Sequence, residues 1–191
     1  MCGIAGHFST KPLPDHASEL LDAQLETIHH RGPDGRGQYL RHEKGIALGH
    51  TRLAINDIAG GCQPLHAVDA RYVLTSNGEF YDFKRHRSSL MAGGDRFLTK
   101  SDSEIAIGLY RKFGLDFTKH LRGEFAFALY DQQEDELLLV RDRFGVRPLF
   151  YWVCPERDTI VYGSEAKAVL AHPDVPVQLD RKAALHQLMQ T

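Results

Sequence analysis

The chain has 191 residues, 42% hydrophobic and 25% charged, with 23 Lys and Arg against 25 Asp and Glu for a formal net charge of -2. These values describe one soluble globular domain that can bury a core without disulfides or metal staples, and they exclude collagen, coiled-coil and disordered classes. No basic run points to nucleic acid, no apolar stretch approaches the ~18 residues of a membrane helix, and the opening MCGIAGHFSTKPLP lacks the charged start and apolar run of a leader peptide. The three cysteines are an odd number, against a disulfide framework. Cys62 in a Gly-Gly-Cys turn and Cys154 at the end of an apolar run read as reduced and incidental, and the thiols imply a cytoplasmic protein.

Taken in chain order, Gly3–Ser9 reads as a short strand. Residues 15–30 place Ala17, Leu20, Leu21, Gln24, Leu25 and Ile28 on one helical face, with Asp15 as the expected N-cap and Gly32-Pro33 as the stop. Residues 44–55 and 72–79 read as strands. Residues 101–113 open on Ser101-x-x-Glu104, a capping-box pattern, continue with Ile105, Leu109 and Phe113 at helical spacing, and end at Gly114. Two hairpins follow, 124–131 with 136–142 and 149–154 with 159–163. A short helix at 165–171 and another from about Asp180 complete the pattern. Adjacent antiparallel strand pairs separated by helices predict an α+β layered sandwich rather than a parallel sheet. Apolar residues on both strand faces predict sheets covered on both sides.

The residue with most chemical content is Cys2. A small side chain after the initiator methionine permits its removal, which would leave a thiol and a free α-amine on one residue. An α-amine has a pKa of about 7.7–8.0, near working pH, so it can serve as the base for its own thiol. On position 2 alone, a small apolar residue at a frayed terminus explains the cysteine as well. Arg52 offers a planar fork suited to a carboxylate. Asn77-Gly78 is first of all a turn signal, although an amide and a backbone N–H aimed at one point also suit a developing oxyanion. The eleven histidines do not cluster at metal-ligand spacing, and Gly93-Gly94-Asp95 is a turn rather than a phosphate cradle.

Met-Cys-Gly-Ile-Ala-Gly at 1–6 resembles the start of class II, or N-terminal-nucleophile, glutamine amidotransferases. His30-Arg31-Gly32-Pro33-Asp34, the run GHTRLAI at 49–55, SNGEFY at 76–81, Ser101-Asp102-Ser103-Glu104, RDRFGVRPLFY at 141–151 and GSEAKA at 163–168 match in order. The HRGPD and NGE-aromatic-Tyr forms are similar to the glutamine-hydrolysing asparagine synthetase branch, and the resemblance covers nearly the whole chain. It implies a four-layer αββα sandwich of two antiparallel sheets covered by helices. It makes Cys2 the nucleophile that forms a γ-glutamyl thioester with L-glutamine, and Asn77 with Gly78 the oxyanion hole. Arg52 becomes the carboxylate anchor, helped by Leu53, Ile55 and Asn56, and Glu79 and Asp102 become ligands of the substrate ammonium.

His30, Arg31, Asp34, Asp142, Arg143 and Arg147 are expected to brace the surrounding loops through ion pairs. No metal or cofactor is expected in this chain. ATP and magnesium belong to the synthetase domain that asparagine-synthetase-like enzymes carry, whose Ser-Gly-Gly-x-Asp-Ser loop does not occur in these residues. The segment from about residue 178 reads as the start of a linker toward that domain, with Leu185, Leu188 and Met189 as apolar surface for a synthetase domain or subunit, or for a second copy. A free-standing subunit, an excised domain and a truncated product remain equivalent readings. Two rival functions stand beside the glutaminase: a non-hydrolysing scaffold that binds a synthetase, and an acylase acting on another amide.

Overall fold

The computed structural model describes residues 1–55, 57, 60–154, 156 and 158–189. Two antiparallel sheets face each other. The first runs in the order β2 (Gly35–Arg41), β3 (Ile46–Arg52), β1 (Gly3–Ser9), β9 (Thr159–Gly163), β8 (Phe150–Cys154). The second runs β4 (Leu65–His66), β5 (Tyr72–Phe80), β6 (Gly123–Asp131), β7 (Glu136–Arg141). Alternation along β1 explains the layering. Ile4 faces inward to meet Ile46, Leu48, Val73, Ala128, Tyr130 and Tyr162 between the sheets, while Ala5 faces outward against α1 (Ala17–Thr27) and α4 (Ala166–Leu170). The outer face of the second sheet packs against α2 (Phe83–Ala92) and α3 (Ile105–Phe113) through Leu74, Phe80, Leu90, Ile105, Leu109 and Phe127. The result is the expected four-layer αββα sandwich, followed by α5 (Arg181–Met189), which buries no side chain. No helix among the described residues is long and apolar enough to cross a membrane.

Three local expectations are corrected. Asp15 does not cap α1: the helix starts after His16 with no side-chain cap, and the Pro14 carbonyl closes the first turn by accepting from the Ala17 N–H at 3.0 Å. The capping box at Ser101 does not form. Helix α3 begins only at Ile105, and the Glu104 carboxylate reaches back past Ser101 to the N–H groups of Leu98 (2.7 Å) and Thr99 (2.9 Å). Asn77-Gly78 is not a turn, because β5 runs straight through it to Phe80 with Gly78 opposite Phe125. Three elements lay outside the sequence reading: β2, whose GRGQ opening has no alternating apolar pattern; the two-residue β4; and α2, in which Leu90 is the one buried residue.

Candidate active site

The site forms where the ends of β1 and β3 in one sheet meet β5 in the other. Gly3 pairs with Thr51, and a Cβ on Gly3 would lie 2.6 Å from the Thr51 hydroxyl oxygen. That close approach draws Cys2 against Arg52 and Leu53. The Cys2 sulfur accepts a hydrogen bond from the Leu53 N–H at 3.4 Å, and the Cys2 carbonyl accepts from buried Arg31 Nε at 3.0 Å. Arg31 is itself held by Glu165 at 3.0 Å, which also takes His30 and Lys167. The HRGPD segment therefore braces the Cys2 peptide rather than taking a place in the cleft. Asp34 does the same for the following loop, accepting from the Ala54 N–H at 2.8 Å.

Arg52 ends β3 with its guanidinium turned to the loop that follows, donating to the Asp57 carbonyl at 2.6 Å and standing 3.6 Å from the Cys62 sulfur. Cys62, read as incidental, thus sits beside the expected substrate anchor.

Asn77 is 1% exposed, and its amide nitrogen has no hydrogen-bond partner among the described residues. A buried, unmet donor of this kind costs about 1–3 kcal/mol unless a ligand or water meets it. Gly78 follows at φ 154°, and a Cβ there would lie 2.1 Å from the Glu124 carbonyl oxygen, so only glycine fits. Asp102 is 4% exposed and accepts from the Phe80 N–H at 2.8 Å, which fixes the carboxylate to β5 beside Glu79. Burial pushes its carboxyl up, the backbone N–H groups of Phe80, Asp102 and Ser103 pull the other way, and the Glu79 charge adds to the rise.

Cys2, Arg52, Leu53, Ile55, Asn77, Gly78, Glu79 and Asp102 all line one cleft of about 120 Å³. Asn56 lies outside the described residues. A roomier cavity of about 410 Å³ on the far side of β1, walled by His7 and His172, contains none of them.

The 142–149 loop closes the cleft's rim, by other means than ion pairs alone. Asp142 collects the N–H groups of Phe144 (3.0 Å), Val146 (3.0 Å) and Arg147 (2.9 Å). Arg141, which sequence reasoning missed, donates to the carbonyls of Arg147 (2.8 Å) and Gly145 (2.6 Å). Arg147 faces the cleft, pairs with Glu124 at 3.3 Å and contacts the Met1 sulfur. Arg143 points outward and takes no part, which corrects the expectation for that residue. Gln63 and His50 also line the cleft and were missed, because a Gln before proline and a His inside a strand carry no distinctive spacing.

The profile of the glutamine amidotransferase domain family matches residues 1–191. The chain is a member of that family. Among its curated relatives, Asparagine synthetase [glutamine-hydrolyzing] 3 of Bacillus subtilis is 38% identical over 183 residues, which is 95% of this chain and 29% of the relative. Amidase chry2 of Gibberella zeae is 39% identical over 181 residues, covering 90% of this chain and 26% of that one. Asparagine synthetase B [glutamine-hydrolyzing] of Escherichia coli is 39% identical over 175 residues, 89% of this chain and 30% of the relative. The amidotransferase domain thus spans under a third of the length of these relatives. Among solved structures, the glutamine phosphoribosylpyrophosphate amidotransferase of Bacillus subtilis superposes with a TM-score of 0.70 at 20% identity, over 89% of this chain and 43% of that one. At that identity the likeness speaks for the fold.

Proposed function

We propose that this domain hydrolyses L-glutamine to glutamate and ammonia, and that the ammonia passes to an acceptor site on a synthetase domain or subunit outside these residues. The observation that carries the reading is the convergence on one cleft of the Cys2 sulfur, the Arg52 guanidinium and the unmet Asn77 amide.

With Met1 in place, the Cys2 nitrogen is an amide and no base. Met1 itself is 53% exposed. After its removal the α-amine takes the thiol proton, and the thiolate attacks the side-chain amide carbon of glutamine. The carbonyl electrons move to oxygen, where Asn77 Nδ2 and the Gly78 N–H meet the charge. The α-ammonium returns its proton to the nitrogen, the C–N bond breaks, and ammonia leaves a γ-glutamyl thioester. Water, deprotonated by the same amine, attacks the thioester and releases glutamate and the thiol.

Arg52 takes the substrate α-carboxylate, flanked by Leu53 and Ile55, and Glu79 with Asp102 takes the α-ammonium. Both ends of a free amino acid are thereby recognised, which favours glutamine over the larger amides of an acylase. Every step above is carried by the chain's own side chains, α-amine and backbone N–H groups. Among the described residues no group of three His, Cys, Asp or Glu side chains stands together as a metal site. The three free thiols support a cytoplasmic setting. The exposed Leu185, Leu188 and Met189 of α5 supply apolar surface for the synthetase or for a second copy.

The test is glutamate release by protein whose N-terminus is shown by mass spectrometry to be Cys2. Turnover that vanishes in Cys2→Ala is expected. No turnover in the processed protein, with a synthetase partner absent or present, would leave the scaffold reading in its place.

A further inference from the structure

Strand β5 carries Asn77, and among the described residues one of its edges has a strand neighbour at only Val73 and Leu74. Its partner there, β4, is two residues long and pairs Leu65 with Leu74 and His66 with Val73. Extending that register would bring residue 64 opposite 75 and residue 63 opposite 76. The backbone pairing stops at Leu65, before the step at 63 and 76 that would have satisfied Ser76. The Ser76 N–H and carbonyl, both on this open side and buried at 1% exposure, would then be unmet.

The Gln63 side chain supplies what the missing strand would have. Its Oε1 accepts from the Ser76 N–H at 2.6 Å and its Nε2 donates to the Ser76 carbonyl at 3.1 Å. A carboxamide has the donor and acceptor of a peptide group side by side, so it can replace one ladder step. A second donor, His50 Nε2, reaches the same carbonyl at 3.1 Å from the facing sheet. A carbonyl can only accept, so this imidazole carries its proton on Nε2.

Both residues are themselves fixed. His50 is fully buried and sits opposite Ile4, two residues beyond Cys2 in β1. The main chain of Gln63 lies over Gly37 of β2, where a Cβ would come within 1.9 Å of the Gln63 carbonyl oxygen.

We propose that Gln63 and His50 are positioning residues for the oxyanion hole: together they clamp the Ser76 peptide so that the Asn77 amide is aimed at the carbonyl under attack by Cys2. This rests on the glutaminase reading above. Gln63 sets the rotation of the peptide that precedes Asn77. His50 ties the strand pair carrying Cys2 to the strand carrying Asn77, and so sets the spacing between nucleophile and hole. Gln63 also ends the loop that begins at Arg52, so the clamp joins the substrate's carboxylate anchor to the oxyanion side of the cleft. Neither residue touches the reacting atoms. Their effect falls on the transition state, in which the Asn77 bond forms, more than on bound substrate.

The experiment compares wild type, Gln63→Met, Gln63→Glu, His50→Leu and His50→Gln, each with its N-terminus processed to Cys2. Gln63→Met keeps the length and loses both bonds. Its kcat should fall roughly 10–100-fold, since misaiming a donor costs less than the 100–1000-fold of deleting one, while KM stays within about threefold. Gln63→Glu should be no better, because a carboxylate faces the Ser76 carbonyl with a lone pair. His50→Leu should lose kcat in the same range, and His50→Gln, whose amide keeps a donor near Nε2, should recover most of it. A residue that only plugs a strand edge would lower thermal stability and move kcat and KM together, with no rescue by Gln. Values of kcat within twofold of wild type in both Gln63→Met and His50→Leu would overturn the proposal, as would KM rising in step with the loss.

The ¹⁵N NMR signal of the Asn77 side-chain amide reads the same aim without turnover. It should shift in Gln63→Met and His50→Leu, and an unmoved signal in both would also overturn the clamp. An inactive wild type with that shift present would instead count against the glutaminase reading alone.

Discussion

On the proposed reading, Cys2, Arg52 and Asn77 divide the work in ways that kinetics can separate. Cys2→Ala should abolish glutamate release, and so should retention of Met1, because an amide nitrogen cannot take the thiol proton; normal turnover by protein weighed with Met1 intact would contradict the base assignment. Asn77→Ala removes a donor whose partner develops in the transition state. The loss should fall mainly on kcat, on the order of 100–1000-fold. Arg52→Ala leaves the substrate carboxylate unpaired and should cost roughly 2–5 kcal/mol, expressed mostly in KM. The reverse pattern would exchange the two roles. That Cys2, Arg52 and Asn77 share a cleft was legible in the run of motifs that carries them. Arg31 and Asp142 were expected as braces through ion pairs, but the main-chain groups they hold were not legible, and Gln63 was missed altogether. Arg31 acts through the Cys2 carbonyl, Asp142 through three backbone N–H groups and Gln63 through one peptide. Each targets main chain, which every residue has, so no partner residue type in the sequence points to the contact.

Glycine positions decide how the strands approach the cleft. Gly78 holds β5 at φ 154° with no room for a Cβ against the Glu124 carbonyl, whereas Gly94, at φ 99°, has open space around it. Gly78→Ala should destabilise the fold by about 2–4 kcal/mol, strain and clash together, and Gly94→Ala by about 1 kcal/mol from strain alone. Urea midpoints at unchanged m-value measure both, and equal losses would show that the β5–β6 pairing yields more easily than its geometry indicates. Strands with alternating apolar residues, such as β6, were readable from the sequence, as was α3, where Ile105 and Leu109 face the core. Strand β2 was not. One of its two glycines, Gly37, lies under the Gln63 carbonyl, and a glycine chosen for what passes over it leaves no apolar period. Helix α2 was hidden by its KRHR run, since it lies on the second sheet with little more than Leu90 turned inward. The capping box failed for a related reason: Glu104 found better donors in the loop before it than at a helix start.

At the scale of the whole sandwich, two histidines are enclosed with little to stabilise a charge. His50 lies between the sheets, and His7 lies on the outer face of β1 against His172, with ring centroids 5.0 Å apart. Burial depresses both to about 4, with the neighbouring His172 adding to the effect on His7 and the Asp174 charge opposing it. In the unfolded chain each titrates near 6.5. Above that pH both states are neutral and the histidines are indifferent. Between about 6.5 and 4 the unfolded chain binds protons that the folded one refuses, so stability falls as pH falls, by about 3 kcal/mol per residue at the lower end. Asp142 and Glu165, whose carboxyls are held below the usual range against their burial by backbone N–H groups and by Arg31 respectively, add their losses only at lower pH, as they are protonated. Asp102 works in the opposite sense: its raised carboxyl binds a proton in the folded state first and returns a little stability as the solution is acidified. The net expectation is a urea midpoint that is level from pH 8 to 7 and declines steadily from about pH 6.5, well before carboxylates titrate. His7→Phe, away from the cleft, should flatten the upper part of that decline without altering the steady-state kinetics at pH 8. A midpoint level down to pH 4.5 in the wild type would mean that the sandwich opens enough around both rings to hydrate them.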